Sequence, residues 1–181
     1  MSDATNQTNA TLRFAEGARF VATVNGKAVS WGFEPWEFLV EVLRRNELIG
    51  TKRGCESGDC GACAVLLDGH EVNACIVLAA QASGHEIVTI EGVSAAGRPD
   101  AIQQAFVDTG AVQCGFCTPG MVIATHALLD AQPEPSEGDA RNALAGHLCR
   151  CTGYVKPIAA VLEAARRIAA PGQDRTEGGA R

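Results

Sequence analysis

The sequence predicts an α+β fold in two halves, a small sheet carrying one helix followed by a helical bundle. Three observations carry this reading. Two turn dipeptides, Asn25-Gly26 and Asp68-Gly69, sit between short β-type runs in the first half, and such dipeptides mark tight hairpins. After residues 92–98, a stretch of Gly, Val, Ser, Ala and Arg that reads as a linker, apolar residues recur at helical rather than alternating spacing. The chain also has eight cysteines among 181 residues, four in each half.

In order along the chain, residues 1–17 are polar and without period, and read as a flexible leader. Residues 19–30 form the first hairpin around Asn25-Gly26. Pro35 suits a first helical position, and Trp36, Leu39, Val40 and Leu43 follow at i, i+3, i+4 and i+7 on one apolar face. Ala64–Leu67 and His70–Val72 form a second hairpin. Residues 74–82 read as a short helix and 86–91 as a last strand. In the second half, helices are expected over residues 99–108, with Ile102, Ala105 and Phe106 inward, and over 118–131. A third runs from a serine cap at Ser136 to about 145. The fourth spans about 155–170, with Val155, Ile158, Ala159 and Leu162 on its face. The domains are thus 18–91 and 99–171, with a flexible tail over 172–181. Trp31, Trp36 and the phenylalanines are expected in the core.

Composition narrows the function. Fifteen Lys and Arg against 21 Asp and Glu give a net charge of −6, the wrong sign for a nucleic-acid binder. No apolar run is long enough to insert in a membrane, and the start of the chain lacks the apolar stretch of a secretory signal. A cytoplasmic location follows, where thiols stay reduced and eight cysteines point to metal rather than disulfides.

Cys55, Cys60, Cys63 and Cys75 are spaced C-x4-C-x2-C with a distant fourth cysteine, the plant-type ferredoxin arrangement for a [2Fe–2S] cluster. The cluster is anionic, so the loop must aim N–H groups at sulfur, and the glycines among residues 54–61 permit the turns that do so. Cys114, Cys117, Cys149 and Cys151 form C-x2-C and C-x-C pairs. Each pair precedes an expected helix start, where free N–H groups and the dipole favour an anion. Spacing of this kind also occurs in zinc sites, so a zinc-stabilised interaction module stays open beside a free-standing soluble electron carrier. His70, His85, His126 and His147 are read as ordinary polar or surface residues, because eight cysteines leave no ligand position vacant. Arg53 and Arg150 are read as charge partners or solvated residues.

Three strings, Gly54-Cys-Glu-Ser-Gly-Asp-Cys-Gly-Ala-Cys63, Gln113-Cys-Gly-Phe-Cys-Thr-Pro-Gly-Met121 and Leu148-Cys-Arg-Cys-Thr-Gly-Tyr154, closely resemble the small iron–sulfur subunit of molybdenum hydroxylases. The resemblance runs over about residues 18–168. It implies a ferredoxin-like β-grasp domain and a two-fold symmetric four-helix bundle, each holding one [2Fe–2S] cluster. It also implies two partners, a large subunit carrying molybdenum on a molybdopterin and a medium subunit carrying FAD. Electrons would pass from the molybdopterin through the two clusters to FAD, with no substrate site on this chain. By the same resemblance, Gln113 and Cys151 would contact the molybdopterin. His147 departs from the pattern, standing where asparagine is usual, and Thr118-Pro119-Gly120 resembles the FAD-linked branch.

Overall fold

The computed structural model describes residues 18–94 and 97–170. The expected leader and tail lie outside the described residues.

Five strands form one mixed sheet in the order β2-β1-β5-β3-β4. β1 (Arg19–Val24) and β2 (Lys27–Gly32) pair antiparallel around the Asn25-Gly26 turn. β3 (Ala64–Leu67) and β4 (His70–Asn73) pair around Asp68-Gly69. All four turn residues have positive φ, as a type I′ hairpin requires. β5 (Glu86–Val88) lies between the hairpins, parallel to β1 and antiparallel to β3. The expected strand over 86–91 is therefore shorter, because its continuation turns into a 3-10 segment at Ile90–Gly92.

α1 (Leu39–Arg45) packs on one face of the sheet. It starts four residues later than Pro35 suggested. The Glu41 carboxylate accepts from the Phe38 N–H at 3.0 Å, and the Glu37 carboxylate accepts from the Glu34 N–H at 2.7 Å, so the cap forms on glutamates and residues 35–36 form a turn before it. Leu39, Val40, Val42 and Leu43 join Phe20, Val65 and Ile87 in the first core. Trp31 stacks on Phe20 with centroids 5.8 Å apart. Trp36 is 62% exposed, however, and Phe38 and Phe116 are also exposed. The expectation of an aromatic core thus holds for Phe20 and Phe106 and fails for these three. α2 (Ala79–Ala82) is a single turn, less than the helix expected from residue 74.

The second half contains α3 (Ala101–Asp108), α4 (Thr118–Ala131), α5 (Glu137–Ala143) and α6 (Val155–Ala169) around a second core. Asp100 caps α3, its carboxylate accepting from Gln103 N–H at 2.8 Å. Ser136 caps α5 as expected. The buried face of α6 is Pro157, Ile158, Ala160, Val161, Ala164 and Ala165. Val155 and Ala159, expected inward, are exposed. Fully buried Ala105, Ala160 and Ala164 allow the backbones of this core to approach closely, so small residues define the face that larger ones seemed to mark.

The halves are packed together. Ala64 and Leu66 of β3 form a third cluster with Ile123 of α4. β3 is therefore covered on both faces, by α1 and its core on one side and by α4 on the other. This contact holds the loop after residue 54 beside the N-terminus of α4.

Candidate metal centres

The eight cysteines are all free thiols, and they fall into the two sets that the spacing defines. The first set is built by the loop over residues 54–63 and by Cys75, just after β4. Glu56, Gly58 and Gly61 have positive φ, which curls the loop around its sulfurs. Ser57 N–H and Asp59 N–H donate to Cys55 Sγ at 3.4 and 3.3 Å. Gly54 is required by space, since a Cβ there would lie 2.7 Å from Cys60 Sγ. The Asn73 side-chain amide braces the loop by donating to Gly58 O at 2.8 Å.

The second set is assembled from two segments. Cys117 is itself the N-cap of α4, which spans the residues expected. Cys149 and Cys151 lie in a loop that reaches α6 only at Val155, through Tyr154 in the left-handed region at φ 67°. Cys151 thus stands four residues before α6, which starts where the sequence placed it. Thr152 supplies the donors instead, its hydroxyl and N–H reaching Cys149 Sγ at 3.2 and 3.4 Å.

Three twos of thiols interact directly, two in the second set and one in the first. Cys114 and Cys151 sulfurs are 3.7 Å apart. Cys117 and Cys149 interact side chain to side chain, as do Cys63 and Cys75, and the Cys60 N–H bonds to Cys55. Burial pushes the Cys63 and Cys117 thiols up to about 12. The Ser57 hydroxyl and N–H, followed by the N–H groups of Cys60 and Asp59, bring Cys55 down to about 6. Burial opposes ionisation of Cys149, but the Thr152 hydroxyl and N–H, with the Cys151 N–H and the Cys117 thiol, outweigh it and bring Cys149 to about 7. Two adjacent thiols resist joint ionisation because their charges repel; a shared cation removes that conflict. Among the described residues, no group of three or more His, Cys, Asp or Glu is placed to hold a metal ion.

A backbone hydrogen bond joins the sets. Leu148 N–H donates to the Cys60 carbonyl at 3.0 Å. The Tyr154 hydroxyl donates to His147 O at 3.0 Å and accepts from Cys149 N–H at 2.9 Å. His147, expected to be ordinary, is buried against Glu71 of β4 at 2.8 Å. His85 pairs with Asp68, His126 with Asp100 and Arg53 with Glu56; Arg150 is exposed. Sequence reasoning missed the role of Tyr154, whose one signal was its place three residues after Cys151, and marked His147 only by its departure from the family pattern. Gln113 is exposed beside Cys114, with exposed Val112 and Phe116 near it.

These features define a protein with two 2Fe–2S binding domains. A family described as 2Fe-2S iron-sulfur cluster binding domain matches residues 22–87, and one described as [2Fe-2S] binding domain matches residues 89–162. The chain is 47% identical over 147 residues to the nicotinate dehydrogenase small FeS subunit of Eubacterium barkeri, covering 81% of this chain and 94% of that one. It is 43% identical over 155 residues to the xanthine dehydrogenase iron-sulfur-binding subunit of Escherichia coli O157:H7, covering 84% and 97%. The crystal structure of quinoline 2-oxidoreductase from Pseudomonas putida 86 superposes with a TM-score of 0.82 at 41% identity, covering 84% of this chain and 96% of that chain. The chain belongs to the family of small iron–sulfur subunits of molybdenum hydroxylases, and is an electron-transfer subunit of an oxidoreductase complex.

Proposed function

We propose that Cys55, Cys60, Cys63 and Cys75 ligate one [2Fe–2S] cluster, and Cys114, Cys117, Cys149 and Cys151 a second. The observation that carries this is that Cys114 and Cys151, Cys117 and Cys149, and Cys63 and Cys75 stand sulfur to sulfur, with the Cys60 N–H on Cys55, since each iron of such a cluster takes two protein thiolates. When bound, the cofactors supply one-electron chemistry that carries electrons from a molybdopterin on a large partner subunit, through the second cysteine set and then the first, towards FAD on a medium partner subunit. This chain's part is to hold and tune. The N–H groups on Cys55, and the Thr152 donors on Cys149, stabilise negative charge on sulfur and so raise the ease of reduction. The Cys60 carbonyl and Leu148 N–H join the two sets by one hydrogen bond.

The finer fold reading is a β-grasp domain over 18–91, a linker over 92–98 and a four-helix bundle over 99–171. The mixed sheet with α1 across it, and four helices around one core, support it. Gln113 and Cys151 are proposed to meet the molybdopterin; both are exposed, Cys151 lies against Cys114, the residue after Gln113, and among the described residues Gln113 makes no side-chain hydrogen bond. A cytoplasmic location is proposed on the free thiols. Among the described residues no helix is long and apolar enough to cross a membrane.

Iron and acid-labile sulfide analysis of the native complex tests the ligand assignment. About four of each per chain are expected, from two sites of two. Two irons with zinc making up the remainder would remove the second site. A reductive titration followed by electron paramagnetic resonance should resolve two signals of different midpoint, because the sets differ in burial and in donors to sulfur.

A further inference from the structure

Between the two cysteine sets lies a buried histidine that neither set uses as a ligand. His147 is 2% exposed. Its Nε2 faces Glu71 Oε1 at 2.8 Å, and since a carboxylate only accepts, that nitrogen carries the hydrogen. The other ring nitrogen, Nδ1, is buried without a hydrogen-bond partner among the described residues. It lies over two glycines from different halves of the chain. A Cβ on Gly61 would collide with Nδ1 and would lie 2.6 Å from the Gly146 carbonyl, and a Cβ on Gly120 would lie 3.0 Å from Nδ1. The imidazole therefore occupies a slot whose floor comes from both the first cysteine loop and the start of α4, and Glu71 fixes its rotation from the sheet.

The next peptide along the chain is the one that bridges the sets. Leu148 donates to the Cys60 carbonyl at 3.0 Å, and Cys149 follows directly. The Leu148 side chain is 59% exposed, so its own packing does not hold that peptide in place. Its neighbours do: the Tyr154 hydroxyl from one side and the seated His147 ring from the other.

We propose that His147, held by Glu71, is the positioning residue for electron exchange between the two cluster sites, because it keeps the Leu148 N–H on the Cys60 carbonyl. The proposal rests on the reading of the cysteines as cluster ligands. Without the carboxylate, the buried imidazole N–H loses its acceptor and the ring turns in its slot. The 147–149 segment then loosens against the first loop, at the one hydrogen bond that joins them.

The test uses the native complex bearing wild-type chain, Glu71→Ala, Glu71→Gln or Glu71→Asp. Iron per chain is measured first. Radiolytically generated methyl viologen radical then delivers one electron per complex, and its redistribution between the two cluster signals is followed. Glu71→Ala should keep both clusters at wild-type potentials and slow redistribution about ten- to a hundredfold, the scale of a small misplacement between positioned groups. Glu71→Gln retains an acceptor for the same N–H and should stay within about twofold of wild type. Should Glu71→Ala fail to assemble, Glu71→Asp, with its shorter reach, should still slow redistribution. A merely structural clamp would lower melting temperature and leave this rate unchanged. Redistribution at the wild-type rate in Glu71→Ala or, if that fails to assemble, in Glu71→Asp, or a Glu71→Gln rate as low as that of Glu71→Ala, would overturn the proposal. A wild-type chain with fewer than two clusters would overturn the ligand assignment instead, so the two failures are distinct.

Discussion

The loop over 54–63 and the site at the start of α4 each gather four thiols, but by opposite means. The loop is local. Three of its cysteines lie within nine consecutive residues, and its own backbone, turned by Glu56, Gly58 and Gly61, supplies the N–H donors. The second site is tertiary. Cys114 and Cys151 are separated by 37 positions yet sit 3.7 Å apart, because α3, α4 and α6 share a core that brings the two segments together. A local site tolerates slack in the rest of the fold. A tertiary one inherits every displacement of the helices that build it.

The sharpest way to break the contrast is to remove one ligand from each set. Cys60→Ser and Cys114→Ser should each lose one cluster, about two of four irons per chain. Cys60→Ser should also unfold the sheet half ahead of the helical half, since binding energy of a metal centre is folding energy in a small core. Iron analysis combined with domain-resolved hydrogen exchange reads both effects. Loss of all four irons in either variant would show that the two sites fold as one unit.

A smaller effect is expected where the two sites touch. Gly61 has φ +68°, and a Cβ there would meet His147 and the Gly146 carbonyl; Gly69 has φ +80° with open space around it. Gly61→Ala should cost about 2–5 kcal/mol, strain and overpacking together, and Gly69→Ala about 1 kcal/mol from strain alone. Chemical denaturation of the two variants separates them. Equal losses would mean that the junction yields without cost.

The smallest difference concerns the most easily ionised thiol of each set. Cys55 is exposed at about 6, and Cys149 is partly buried at about 7. In cluster-free chain at about pH 6.5, iodoacetamide should modify Cys55 roughly threefold faster from thiolate fraction alone, and faster still from access. As pH rises past both values the thiolate advantage should vanish and only the access difference remain. Mass spectrometry of labelled peptides measures this. Faster labelling at Cys149 at pH 6.5 would reverse the assigned environments.

Much of this architecture is written in short-range pattern. The Asn25-Gly26 and Asp68-Gly69 turns, the strand Ala64–Leu67, the helix Thr118–Ala131 and the Ser136 cap are all legible, because turn chemistry and helical period act over a few residues. Both cysteine sets are legible for the same reason, since ligand spacing follows from the size of the centre. The start of α1 is not, because Pro35 competes with capping by Glu37 and Glu41, and Glu37 is held by Arg45 at the far end of the helix. The inward face of α6 is not either. Alanine buries little area, so Ala160 and Ala164 give weak periodic signal, and only packing in the second core shows that they face inward.

Turn dipeptides and helical period thus suffice for the class of fold, cysteine spacing for the two sets of four, and the three strings around them for the family. They act through local conformation and through the donor chemistry of sulfur, which need no knowledge of distant residues. Which sulfurs stand side by side, and that His147 meets Glu71 from 76 positions away, were decided by tertiary structure. Those contacts exist only once β3 is covered by α4. That packing is a sum of many weak contacts spread over both halves, and no short stretch of sequence contains it.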